Sequence, residues 1–238
     1  MLDVSMVLRS LRSARLVDLS QTLEEHMPHF PTHSKFFHNL WGSYWHGDRA
    51  LTYQLVMNEH NGTHVDAPAH FISDAKPAAH VTIDRVPPDR LLGRGLRLDC
   101  RSFKEGEYVS RDHIQQWEAT HTEIAPDDIV LLNFGWSSYW GQRPQNKRYL
   151  SDWPGVSHEA AEYLVHKSVA ALGVDTLSPD PPRALASNPI HPFVLEHQVL
   201  IIENLTRLDE LPDVFLFAAF PLKISGGSGS PIRAVAFV

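Results

Sequence analysis

A chain of 238 residues is long enough to bury a sizeable core, and 43% hydrophobic with 21% charged residues is ordinary for a globular protein. Its formal net charge of −7, with no basic patch along the chain, argues against nucleic acid as the principal partner. The single cysteine, Cys100, excludes an intrachain disulfide and a cysteine-rich metal site, and no apolar run reaches the length of a transmembrane helix.

Residues 1–15 carry Arg9, Arg12 and Arg15 beside Asp3, with no apolar h-region and no small-residue cleavage site. They are expected to form a surface helix or a frayed extension rather than a targeting peptide, and the protein is expected in the cytoplasm. Leu16–Ser20 predicts a short strand. From His26 to His46 the chain holds His26, His29, His33, His38 and His46 among Phe30, Phe36, Phe37, Trp41, Tyr44 and Trp45, with Pro28 and Pro31 against any helix. The segment reads as irregular aromatic packing and equally as the wall of an apolar pocket. Phe36, Trp41 and Trp45, joined by Phe71, are the candidate substrate-binding residues.

Leu51, Tyr53, Leu55 and Met57 recur at period two and predict a strand. It leads into the most informative stretch, His60 to Phe71, which reads H-N-G-T-H-V-D-A-P-A-H-F. Asn61-Gly62 is a turn dipeptide and Pro68 opposes a regular helix, so the predicted geometry is strand, tight turn, extended segment. Alternate side chains of an extended segment share a face, which groups His64, Asp66 and His70, and the turn brings His60 alongside. Two imidazoles and a carboxylate on one face suit a catalytic metal with open coordination positions. In a chain with 15 histidines no single one is informative; the composite of three His, one Asp, Gly and Pro at fixed spacing is. Asn61 replaces the Glu of the helical zinc-protease pattern, so that motif is not present.

Beyond the motif, residues 75–89 are a proline-rich connection and a strand is expected around Arg94–Leu98. Ser110 caps a helix to Thr120, with Ile114 and Trp117 on one side. Residues 127–134 form a buried-strand run, followed by an aromatic and polar loop from Gly135 to Asp152. A second helix is expected over Ser157–Lys167, and strands at Val169–Val174, Gln198–Ile202, Val214–Ala219 and Ile232–Val238. Gly226–Pro231 reads as a flexible turn: no Lys-Ser/Thr follows it, as a phosphate cradle would require. With no repeat and no low-complexity linker, residues 1–238 are read as one mixed α/β domain. For further ligands the residues offer Asp175, Asp180, His191, His197 and Glu203. Glu203 is notable at the end of the apolar run Val199–Ile202, because a buried carboxylate is costly without a cation. The residues alone leave His191 and His197 open.

The stretch H-x-G-T-H-x-D-x-P-x-H-F resembles the signature of the metal-dependent cyclase family, which includes bacterial kynurenine formamidase and isatin hydrolase, and the match has no departure. This resemblance implies the swivelling β/β/α fold of that group and a homodimer. In kynurenine formamidases the late His and Glu of the second metal have eleven residues between them and Asn-Leu follows; His191, Glu203, Asn204 and Leu205 are similar to that pattern. Gly173–Asp180 and Gly229–Arg233 also resemble family segments. The implied metal ligands are His60, His64, Asp66, His191 and Glu203, holding one or two ions of Zn2+ or Mn2+, with Asp66 able to bridge two. His70 is the expected general base and acid, since an imidazole titrates near neutral pH. Glu203 is the expected second catalytic group, holding the His70 ring or the second metal.

The reaction so implied is hydrolysis of an amide C–N bond by metal-activated water, in an aryl formamide such as N-formylkynurenine or a cyclic amide such as isatin. A small aromatic or cyclic substrate follows, and no nucleic acid or membrane partner. Lactone hydrolysis or cyclisation on another carbonyl is the alternative enzyme reading. A metal-stabilised binding protein is the non-enzymatic one, and it ranks lower because structural zinc sites are usually cysteine-rich. Substrate choice is expected in the stretches least like the family, residues 26–50 and 135–152.

Overall fold

The runs Ile129–Leu132 and Leu200–Ile202 are apolar on both alternating faces, a pattern stable only where a strand is covered on both sides. The computed structural model describes residues 3–73, 75–183 and 189–238 and builds its sheet around these two runs. In chain order the strands are β1 (Leu16–Asp18), β2 (Phe37–Gly42), β3 (Thr52–Val56), β4 (His64–Asp66), β5 (Leu92–Asp99), β6 (Tyr108–Val109) and β7 (Ile129–Asn133). They continue with β8 (Gly155–Val156), β9 (Ala171–Val174), β10 (Leu200–Glu203), β11 (Val214–Ala218), β12 (Gly229–Pro231) and β13 (Val235–Phe237). The helices are α1 (Val4–Ser13), α2 (Arg111–Thr120), α3 (His158–His166) and α4 (Ile190–Glu196). Ser110 caps α2 through its side chain, as the sequence predicts, and Ser157 caps α3 in the same way.

Among the described residues one sheet of nine strands runs in the order β1-β13-β11-β5-β7-β9-β10-β4-β12. Its centre, β5-β7-β9-β10, is parallel, and antiparallel strands flank it on both sides. Val130, Leu132, Leu172, Val174 and Ile201 face α2, α3 and α4, which bury Ile114, Trp117, Leu164, Val194 and Leu195 against them. On the opposite face Ile129, Leu131, Leu200 and Ile202 pack with Val17, Val65, Phe217 and Ala236 from the outer strands. The sheet curls to enclose this second core: Ser20, just past β1, bridges to Leu205, just past β10. The mixed α/β fold predicted from the sequence is therefore present.

Three local features differ from expectation, while the N-terminal residues form the expected surface helix. Residues 26–46 are not wholly irregular, because β2 pairs antiparallel with β3 as a ribbon outside the main sheet. The connection at 75–89 is organised into 3-10 turns at Pro77–His80, Ile83–Arg85 and, starting at its end, Pro88–Leu91. Gly229–Pro231, read as a turn, adds to β4 as a sheet-edge strand, with Pro231 where an edge tolerates a missing N–H. The first residues form α1, capped by Asp3, which buries no residue; residues 1 and 2 lie outside the described chain.

Candidate metal centre

The turn before β4 is built by short polar side chains. The Asn58 N–H donates to Asn61 Oδ1 (2.8 Å) and the His60 N–H to Asn58 Oδ1 (2.9 Å), while Gly62 takes φ +64°. This folds His60 back over the strand it precedes. Within β4, alternation sends Val65 into the inner core and leaves His64 and Asp66 on the face toward α4. Register sets Glu203 of β10 opposite His64 and Ile201 opposite Asp66, so Glu203 joins the same face. The fifth group comes from α4, where His191 occupies the first turn after Pro189. Asp180 fixes that turn, accepting from the Ile190 N–H (2.5 Å), the His191 N–H (3.2 Å) and His191 Nδ1 (2.5 Å).

These five side chains are buried and converge. His60 Nδ1 lies 2.6 Å and His64 Nε2 3.4 Å from Asp66 Oδ1. His191 Nε2 lies 3.4 Å from Asp66 Oδ2 and 3.0 Å from Glu203 Oε1, and His64 Nε2 is 3.3 Å from Glu203 Oε2. Two ion-sized groups result, His60–His64–Asp66 and Asp66–His191–Glu203, the ligating atoms of each within 4.8 Å of one another and Asp66 common to both. His64 Nδ1–H donates to the Gly62 carbonyl (2.9 Å), which leaves Nε2 as the nitrogen turned toward the carboxylates.

The electrostatics call for a cation. Burial opposes charge on His64, but hydrogen bonds and attraction from Asp66 and Glu203 outweigh it and raise its pKa to about 10. His191 is raised well above the usual value against the same burial penalty, through Asp180, Asp66 and Glu203. Burial likewise opposes ionisation of Asp66 and Glu203, yet the surrounding imidazoles hold both below the usual carboxylate range. Asp66 Oδ2 and Glu203 Oε1 are buried without a hydrogen bond, a condition a metal ion relieves. Nitrogen and oxygen donors without sulfur suit zinc, manganese and similar divalent ions. The residues fit the group that the sequence implies.

His70 stands beside this cluster and belongs to neither ligand group. The predicted extended segment ends at Asp66, and Pro68–His70 forms a single 3-10 turn, with proline in its first turn where its fixed φ suits a helix. The His70 ring stacks on His60 (centroids 3.8 Å, 22° between planes) and meets Phe71 edge-on at 4.6 Å. Burial, aided by the positive charges of His60 and His191 against the pull of Asp66, lowers its pKa to about 4, so the ring is neutral at neutral pH. It opens onto a cavity of about 250 Å3 that also has Phe30, His33, Phe71, Leu177 and Ser178 in its wall.

Of the four aromatics predicted to bind substrate, Phe71 lines this cavity. Phe36 is buried outside its wall, while Trp41 and Trp45, 78% and 76% exposed, lie on or beside the β2–β3 ribbon. Phe30 and His33 belong to the aromatic and histidine-rich segment, but nothing in its spacing selects them from their neighbours. His197, the rival of His191, is directed to the Phe193 carbonyl (2.8 Å) and does not join the cluster. Asp180, one of the candidate ligands, supports His191 instead of facing the ion position.

A profile of the Cyclase family matches residues 17–181. The isatin hydrolase of Roseibium aggregatum is 32% identical over 201 residues, 77% of this chain and 73% of that protein. The kynurenine formamidase of Erythrobacter litoralis is 31% identical over 223 residues, 93% of each. The solved structure of isatin hydrolase A from Labrenzia aggregata bound to benzyl benzoate superposes with a TM-score of 0.89 at 28% identity, covering 100% of this chain and 99% of that one.

Proposed function

The chain belongs to the Cyclase family, and on that premise we propose that it is a metal-dependent hydrolase of non-peptide amide C–N bonds, acting on an aryl formamide or a cyclic amide. The observation that carries this reading is Asp66, which offers one oxygen to each of two buried ligand groups beside a neutral imidazole and a ring-sized cavity. His60, His64 and Asp66 would hold one divalent ion, and Asp66, His191 and Glu203 a second; zinc and manganese suit these donors. The ion supplies Lewis acidity and activates water at neutral pH.

The chain's own groups do the rest. His70, kept neutral, accepts the proton that the attacking water gives up as its oxygen bonds the carbonyl carbon. It returns that proton to the leaving nitrogen as the C–N bond breaks. Phe30 and Phe71 present apolar surface along the cavity, and its small volume favours a single or fused ring over a larger ligand. Glu203 reaches both His64 and His191, and so serves the ion positions rather than the His70 ring.

Turnover of N-formylkynurenine and isatin by zinc- or manganese-loaded protein, against a chelated control, tests the reading. Hydrolysis of either amide that is lost on chelation and restored by the ion is the expected result. Hydrolysis of lactones alone would replace it with the ester-cleaving alternative, and metal stabilisation without any turnover would leave a binding protein. We also propose a homodimer that uses the β2–β3 ribbon, whose Phe37, Leu40, Trp41, Leu55 and Val56 are exposed together. Sedimentation of the protein against a Trp41→Ser/Leu55→Ser variant tests it, with a shift to monomer expected.

A further inference from the structure

A histidine ligates a metal through one ring nitrogen, and the partner of the other nitrogen decides which. For His64 and His191 that partner is the Gly62 carbonyl and the Asp180 carboxylate, and both present Nε2 to the site. His60 is turned the other way. Its Nδ1 faces Asp66, and its Nε2 lies 2.9 Å from Ser228 Oγ, in the glycine-rich run that the sequence marks only as a turn.

Donor and acceptor counting fixes the proton positions. Glu59 Oε2 accepts from the Ser228 N–H (2.8 Å) and lies 2.8 Å from Ser228 Oγ. A carboxylate only accepts, so the single hydroxyl proton of Ser228 is directed to Glu59. The serine oxygen is left with lone pairs for His60, which must then carry its proton on Nε2. Nδ1 is then the ring nitrogen left toward the ion position, 2.6 Å from Asp66 Oδ1. The glycines make this contact possible. A Cβ on Gly229 would stand 2.5 Å from His60 Cε1 and 2.9 Å from its Nδ1, and one on Gly227 2.8 Å from Glu59 Oε1.

We propose that Glu59 and Ser228, carried against His60 by Gly227 and Gly229, are positioning residues that lock His60 in the Nε2–H tautomer, so that it ligates the first ion through Nδ1 while His64 and His191 use Nε2. The inference rests on the metal-dependent reading above. Two measurements on the full chain test it: zinc affinity by competition with a chromophoric chelator, and 15N–1H correlation of the histidine rings in the zinc-loaded protein. The expected spectrum shows His60 bound through Nδ1 with its proton on Nε2. Ser228→Ala and Glu59→Ala are each expected to weaken zinc binding by about 10- to 100-fold. The double variant should be little worse than either, because the two groups act in series, and Ser228→Thr, which keeps the hydroxyl, should restore affinity. Zinc affinity in Ser228→Ala equal to that of the unaltered chain, or a spectrum with His60 bound through Nε2, would overturn the proposal and leave the hydrolase reading intact. Failure of the unaltered protein to bind zinc or manganese would overturn both. If Ser228→Ala folds poorly, the spectrum of the unaltered protein decides alone.

Discussion

On the proposed reading, side chains of the cluster that lie within a few ångströms of one another would have separable duties. His64 places Nε2 against both carboxylates, whereas His70 lies outside the ligand groups and stays neutral. His64→Ala is therefore expected to lose the ion, and His70→Ala to keep it while turnover falls by about 10²- to 10⁴-fold, with metal content measured on the same samples. Equal metal loss in both variants would refute the division. At Gly229 an added methyl meets His60 and, at 2.7 Å, the Val65 carbonyl. Gly229→Ala should cost about 1–3 kcal/mol in denaturant unfolding and weaken metal binding with it. His60, His64, Asp66 and His70 are legible in the sequence because they fall within eleven residues whose turn and proline signals set their backbone. Glu59 and Ser228 are not, since a glutamate before the motif and a serine among glycines acquire meaning only when the two segments meet.

At the scale of elements, the buried runs and capped helices follow from hydrophobic patterning and appear where the sequence predicts them. β12 and β2 do not, because their partners rather than their own residues make them strands: a Gly-Ser run becomes a strand only alongside β4, and β2 only alongside the predicted β3. The end of β9 adds a pH response. Asp175 follows this strand, fully buried, and accepts from the Phe134 N–H (2.9 Å) and the Ser137 N–H (3.3 Å) in the loop after β7. Burial outweighs these bonds and raises its pKa to about 6. A carboxyl whose folded value is raised favours folding while protonated, and that contribution is lost as pH rises from about 4 through about 6. The change is about 3 kcal/mol. The stability difference between the unaltered protein and Asp175→Asn should vary with pH across that window and be flat above about 7, as followed by urea unfolding. A flat difference throughout would show that Asp175 titrates normally.

The whole molecule joins two cores through one sheet, and the ligand cluster pins the sheet to its helical layer. Its residues come from the turn before β4, from β4 itself, from β10 and from the first turn of α4. Binding at this junction favours the folded chain alone, so an ion at about a thousand times its Kd should add about 4 kcal/mol of stability. A melting temperature that rises with zinc or manganese, with slower amide exchange in α4, is the expected outcome. An unchanged melting temperature on loading would count against the centre. No helix of the described residues is long and apolar enough to cross a membrane.

The order of the ligands along the chain has a consequence for synthesis. His60, His64 and Asp66 leave the ribosome together, while His191 and Glu203 follow more than a hundred residues later. At about 5–20 residues per second the delay is roughly 10 s. Throughout it the first three ligands are exposed without the strand and helix that later enclose them. On the proposed metal-dependent reading, an ion captured during that interval would sit in a half-built, exchangeable site, and the metal of the mature protein would be selected only after Glu203 has been translated.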